Sequence, residues 1–168
     1  MTATFNGSVL RGACFCGAVT YRLTAAPLFI NCCHCKDCQR QTGSAFVINA
    51  IIETAHIDST GATEDIAMPT DSGRPHIISR CPACKTALWS DYGARKTLRF
   101  LRVGTLDEPS ALPPDAHIFT RSKLAWVDLT HPAPGATTKK PALVVDVYYE
   151  MKKDWPAESL ARRAALGV

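Results

Sequence analysis

Eight cysteines in three tight groups constrain this chain more than any other feature. They are Cys14 and Cys16; Cys33, Cys35 and Cys38, with Cys32 just ahead; and Cys81 and Cys84. Two thiolates that share one ion must both reach it at about 2.3 Å. A Cys-x2-Cys turn achieves this by curling the backbone around the metal. A Cys-x-Cys step achieves it because residues i and i+2 of an extended chain point the same way.

The pairs 14/16 and 81/84 together supply four ligands, enough for one closed tetrahedral zinc. Cys33, Cys35 and Cys38 supply three. Four thiolates describe a structural zinc, and three with an open position describe a catalytic one. Cys32 is a poor fourth ligand, because in an extended strand its side chain faces away from that of Cys33. His34 reads as an exposed or supporting residue. Three other readings stand beside this split: buried core thiols, a disulfide framework, and a single zinc with the middle cluster as a redox thiol set.

Compartment bears on that choice. The N-terminal MTATFNGSVL has neither a basic region nor an apolar stretch, so no secretory signal is expected. The runs AFVINAII and ALVVDVYY are interrupted by Asn49 and Asp146 and are far short of a membrane span. The expectation is a cytoplasmic protein, where clustered thiols bind metal more often than they pair. The net charge of +4 is mild and the basic residues are scattered, which argues against a nucleic-acid surface.

The 168 residues, 46% hydrophobic and 20% charged, suit one soluble domain over 1–168. Short apolar or alternating runs predict strands at 18–23, 28–32, 44–52, 76–79, 87–92, 98–106, 117–120 and 142–151. A helical turn is expected over 37–42, closed by Gly43. The stretch 130–141 reads as a loop. DWPAESLARRAAL reads as a terminal helix capped by Asp154, with Pro156 in its first turn and Trp155, Leu160, Ala164 and Leu166 inward. The fold class is therefore mostly β with a short C-terminal helix.

RGACFCGAVTYRL (11–23), NCCHCKDCQRQTGSAFV (31–47) and ISRCPACKTAL (78–88) together resemble the glutathione-dependent formaldehyde-activating family, which includes centromere-protein-V-like members. VGTLDEP (103–109), HIF (117–119) and Trp126 resemble its downstream pattern, so the similarity spans about residues 10–128. It implies a zinc-stabilised β-tent fold with two zinc ions. By position, Cys14, Cys16, Cys81 and Cys84 match the structural site, and Cys33, Cys35 and Cys38 the catalytic one. It also implies a carbon–sulfur lyase that joins glutathione, or a similar thiol, to formaldehyde or a related aldehyde. A non-enzymatic zinc module for a protein partner is the competing class, and a dimer contact through the terminal helix is a weaker expectation. The chain departs from the family at Lys85, where glycine is usual, and at the doubled Cys32. The strand and helix of 142–166 lie outside the similarity.

Overall fold

The computed structural model describes residues 4–5, 8–70, 73–129, 143–146 and 154–167. In chain order these form β1 (Thr4–Phe5), β2 (Ser8–Val9), β3 (Arg11–Ala13), β4 (Thr20–Leu23), β5 (Phe29–Cys33), α1 (Lys36–Thr42), β6 (Val47–Glu53), β7 (Ile57–Thr60), β8 (Glu64–Met68), β9 (His76–Arg80), β10 (Ala87–Tyr92), β11 (Leu98–Arg102), β12 (Ala116–Ile118), β13 (Leu143–Val145) and α2 (Ala157–Ala165). The mostly-β class and the short terminal helix are as expected.

One eight-stranded sheet, in the order β13-β12-β5-β6-β11-β10-β9-β8, carries the molecule. It is antiparallel except where β12 runs parallel to both β5 and β13. A three-stranded sheet, β3-β4-β7, covers one of its faces. Side chains alternate along each strand, so each face has its own core. Ile30, Ala50, Ile52, Leu88 and Leu101 pack toward the small sheet with Leu10, Tyr21 and Leu23. Phe29, Cys33, Val47, Ile51, Leu98 and Phe100 pack on the other face with Cys38 and Trp155.

The two sheets are held close at Gly12. A Cβ there would stand 2.2 Å from Thr105 O and 2.6 Å from the Tyr21 hydroxyl. Gly12 bridges Leu106, and Tyr21 Oη shares a 2.7 Å hydrogen bond with Thr105 Oγ1. Only glycine allows this approach.

Several expectations shift. The 98–106 run stops as a strand at Arg102 and turns through Val103–Thr105 as a 3-10 helix. HIFT gives β12 only to Ile118, because Phe119 takes a left-handed conformation with φ 55°. The polar strands β7 (IDST) and β8 (EDIAM) escape a hydrophobic-pattern reading, since both are largely solvent-facing. Of the 142–151 run only 143–146 is described. Leu143 and Val144 are exposed there, not core. The 130–141 loop lies outside the described residues.

The terminal helix docks by only part of the expected face: Trp155 is buried and Leu166 packs against the same core, as expected, whereas Leu160 and Ala164 do not. Pro156 is its N-cap residue and no side chain caps it, so Asp154 does not. Leu160 and Ala164 face solvent, and the buried positions are Ser159 and Arg163. Arg162 forms a fork on Glu53, at 2.9 and 2.6 Å, and also donates to Ala26 O. Trp155 stacks on Phe29 with centroids 5.4 Å apart, and the Arg163 guanidinium lies over the Trp155 ring at 5.3 Å. A bidentate pair and the stacked Trp155 thus hold the helix where Leu160 and Ala164 do not.

Candidate metal centres

The structure brings Cys14, Cys16, Cys81 and Cys84 together, with all four sulfurs within 4.8 Å of one another. Cys14 and Cys16 lie in the turn after β3, Cys81 and Cys84 in the turn between β9 and β10. Four sulfurs about 2.3 Å from one ion at tetrahedral angles stand about 3.8 Å apart. Here Cys14–Cys16 is 3.6 Å and Cys16–Cys81 is 3.8 Å, the spacing a shared zinc requires. Backbone and side-chain donors already aim at the sulfurs: Val19 N–H donates to Cys14 Sγ at 3.3 Å, and Cys84 Sγ lies 3.1 Å from Thr86 Oγ1. The Thr86 hydroxyl and amide pull the Cys84 thiol down to about 5.

The second turn closes by Lys85 N–H donating to Cys81 O at 2.9 Å. It requires φ 62° at Lys85. The lysine therefore adopts the left-handed backbone that glycine would take freely, at roughly 1–2 kcal/mol. Its ammonium reaches Glu64 Oε1 at 2.9 Å.

Cys33, Cys35 and Cys38 also converge within 4.8 Å. Their positions come from one short stretch of chain. Cys33 ends β5, Cys35 is the N-cap residue of α1, and Cys38 lies in the helix's first turn. Cys38 N–H donates to Cys35 Sγ at 3.4 Å. Gly43, at φ 64°, closes the helix as expected. Hydrogen bonds from the Cys33 and Cys38 thiols hold Cys35 well below the ordinary thiol range. The same contacts drive Cys33 up. Three thiols in this arrangement fit a soft or borderline divalent ion.

The surroundings of this trio were not anticipated. On the same face, one step along the strands from Cys33, Asn31, Asn49 and Arg102 lie side by side in register across β5, β6 and β11. Asn49 Nδ2 donates to Asn31 Oδ1 at 3.4 Å, and Arg102 Nη1 donates to Asn49 Oδ1. Arg102 is 6% exposed, and its charge acts on Cys38 to favour the thiolate. Asn31 Nδ2, Arg102 Nε, His76 Nε2 and Ser90 Oγ are buried with no hydrogen-bond partner among the described residues. His76 stacks on Tyr92 at 3.7 Å. Burial and the nearby thiols push the Tyr92 phenol far up, so it stays protonated. The available signal was Arg102 itself. In LRFLR it occupies the inward phase of Leu98 and Phe100, where a charge is anomalous.

Cys32 turns away from Cys33, as strand alternation requires, and groups instead with His34 and His117. His34 is fully buried, which removes the exposed alternative of the two expected for it. Ser44 makes a local turn bond, donating to Phe46 O. Lys36 donates to Gln39 Oε1 at 3.3 Å, an ordinary surface contact.

A sequence profile described as "Glutathione-dependent formaldehyde-activating enzyme" matches residues 9–122, a span that contains every cysteine. The chain belongs to this family. A Halomonas elongata protein named "Putative glutathione-dependent formaldehyde-activating enzyme" is 28% identical over 130 residues, covering 72% of this chain and 81% of that protein. A crystal structure of a Rhodobacter sphaeroides protein overlaps 58% of this chain and 87% of its own, at 20% identity and a TM-score of 0.44. No helix among the described residues is long and apolar enough to cross a membrane.

Proposed function

We propose that the chain is a zinc-dependent carbon–sulfur lyase of the formaldehyde-activating type. In this reading Cys14, Cys16, Cys81 and Cys84 hold a structural zinc. Cys33, Cys35 and Cys38 hold a catalytic one with a position left for a glutathione-like thiol. The observation that carries the reading is an asymmetry between the two centres. The four-sulfur set is complete, whereas the three-sulfur set is one ligand short and faces buried polar atoms without partners.

Zinc held by three thiolates supplies a soft cation that favours the thiolate form of an incoming thiol. The chain's own groups account for the rest. Addition forms a bond from sulfur to the aldehyde carbon, the carbonyl electron pair moves to oxygen, and the thiol's proton ends on that oxygen. Tyr92, kept protonated, is a hydrogen-bond donor for the oxygen that gains charge. Arg102 offsets the negative charge of the thiolates, in a site where burial strengthens the attraction. Positioning and electrostatics, rather than a covalent protein adduct, carry the rate.

Exchange NMR with carbon-13 formaldehyde and glutathione tests this, because the uncatalysed adduct forms and decays slowly enough to resolve. The zinc-loaded protein is expected to accelerate exchange between free aldehyde and the hydroxymethyl adduct, and Cys35→Ser to abolish the acceleration while remaining folded. Exchange no faster than with an equal amount of free zinc contradicts the proposal and favours a non-enzymatic zinc module.

A further inference from the structure

We propose that Cys32, His34 and His117 form a third metal site, for a borderline divalent ion such as zinc, on the face of β5 opposite the three-cysteine centre. The inference does not depend on the reaction proposed above. It begins with strand alternation. Cys32 and His34 stand two residues apart and share one side of the chain, while Cys33 and Cys35 take the other. β12 lies beside β5 in parallel register, with His117 opposite Cys32. Topology thus delivers a third donor from a distant segment to the side that β5 does not use for its thiol trio.

The distances suit an ion. His34 Nε2 is 3.0 Å from His117 Nδ1 and 3.7 Å from Cys32 Sγ, and the three donor atoms all lie within 4.8 Å. An ion at about 2.0 Å from each nitrogen and about 2.3 Å from sulfur, with tetrahedral angles, sets these separations near ~3.3 and ~3.5 Å. The two separations that involve His34 lie within a few tenths of an ångström of these values, and Cys32 Sγ lies within 4.8 Å of His117 Nδ1. One thiolate with two imidazoles is an established zinc donor set. It is chemically distinct from the two all-sulfur centres.

Burial explains why such residues would be kept here. Cys32 and His34 are 1% and 0% exposed. A histidine placed in a core needs its polar atoms satisfied. The Nε2 atom of His34 meets only the other two members of the cluster, and its Nδ1 has no partner among the described residues. His117 is half-buried and provides the route in and the side on which a fourth ligand binds. Lys123, close enough to His34 to oppose positive charge there, acts against the ion. Its ammonium is engaged by Leu124 O and Val127 O, at 3.3 and 2.6 Å. The third ion is therefore expected to bind more weakly than the other two.

Zinc-edge X-ray absorption with metal analysis on the full chain decides the matter. The other two centres contain no histidine, so imidazole scattering reports on this site alone. Wild type, loaded with zinc and desalted, is expected to hold three ions per chain and to show imidazole scattering. His117→Gln should hold two and lose that scattering, with an unchanged circular dichroism spectrum. Cys32→Ser, a buried near-isostere, provides the same readout if His117→Gln does not fold. Two ions in wild type with sulfur-only scattering overturns the proposal, as does imidazole scattering that persists in both variants.

Discussion

The two all-cysteine clusters differ in where their cysteines come from, and that difference supports the separate roles proposed for them. The four-cysteine centre joins turns far apart in the chain, one after β3 and one between β9 and β10. An ion there closes a long loop, so its binding free energy becomes folding free energy. The three-cysteine centre draws every ligand from one stretch, the end of β5 and the start of α1. An ion there closes almost no loop and contributes little to the fold. The environments diverge in parallel. The closed set sits against apolar residues such as Leu10, Leu88 and Trp89. The open set lies near Arg102, His76 and Tyr92, with Asn31 on the same strand face as Cys33. Loop-closing ligands with an apolar backing describe a clasp. Local ligands with an unsatisfied polar backing describe a binding site.

The largest expected effect breaks this comparison most directly. Cys81→Ser removes a ligand from the clasp and forfeits much of a contribution that runs at about 10–16 kcal/mol in zinc-finger peptides. The expected outcome is loss of cooperative unfolding in calorimetry. Cys35→Ser should instead melt within about 5 °C of wild type. Equal destabilisation by the two variants would erase the distinction. Next in size, Arg102→Met removes the buried guanidinium. Metal affinity at the three-cysteine centre should fall about tenfold, equivalent to about 1.4 kcal/mol, with the clasp unaffected. A competing chelator resolves the two affinities.

What was legible in the sequence follows the same division. Cysteine spacing is local information, and it divided these seven cysteines into the same two groups that the structure brings together. Strands β9 and β10 announced themselves by β-branched or aromatic content. Arg102 and His34 are different, because tertiary neighbours define them. His34 is buried by β12, whose His117 lies 83 residues away. The terminal helix misled through its own amphipathic pattern. Leu160 and Ala164 look inward on a helical wheel, but Glu53 at the end of β6 captures Arg162 and turns the helix to another face. A buried carboxylate contributed by a distant strand is not visible in the stretch DWPAESLARRAAL read alone.

A smaller effect sharpens the polar side of the comparison. Burial, with Arg102 adding to it, pushes the His76 imidazole down to about 4 from an ordinary 6.5. Between those values the unfolded chain takes up a proton that the folded chain resists, so stability falls as pH falls from 6.5 toward 4. His76→Gln should flatten this window in pH-dependent urea melts. A wild-type profile no steeper than the variant's would remove His76 from the account. Smallest of all, Lys85→Gly relieves the left-handed backbone beside the clasp. A gain of about 1 kcal/mol is expected, less whatever the exposed Lys85–Glu64 pair supplies. A loss in the same chemical melt would show that the turn does not carry that strain.

The division between a saturated clasp and an open centre is tested most directly by adding glutathione to the cobalt-substituted protein. The account predicts a saturable rise in sulfur-to-cobalt charge-transfer absorbance with one thiol per chain, absent in Cys35→Ser, with the four-sulfur bands unchanged in both. A spectrum indifferent to millimolar glutathione, or an equal response in Cys35→Ser, would contradict it.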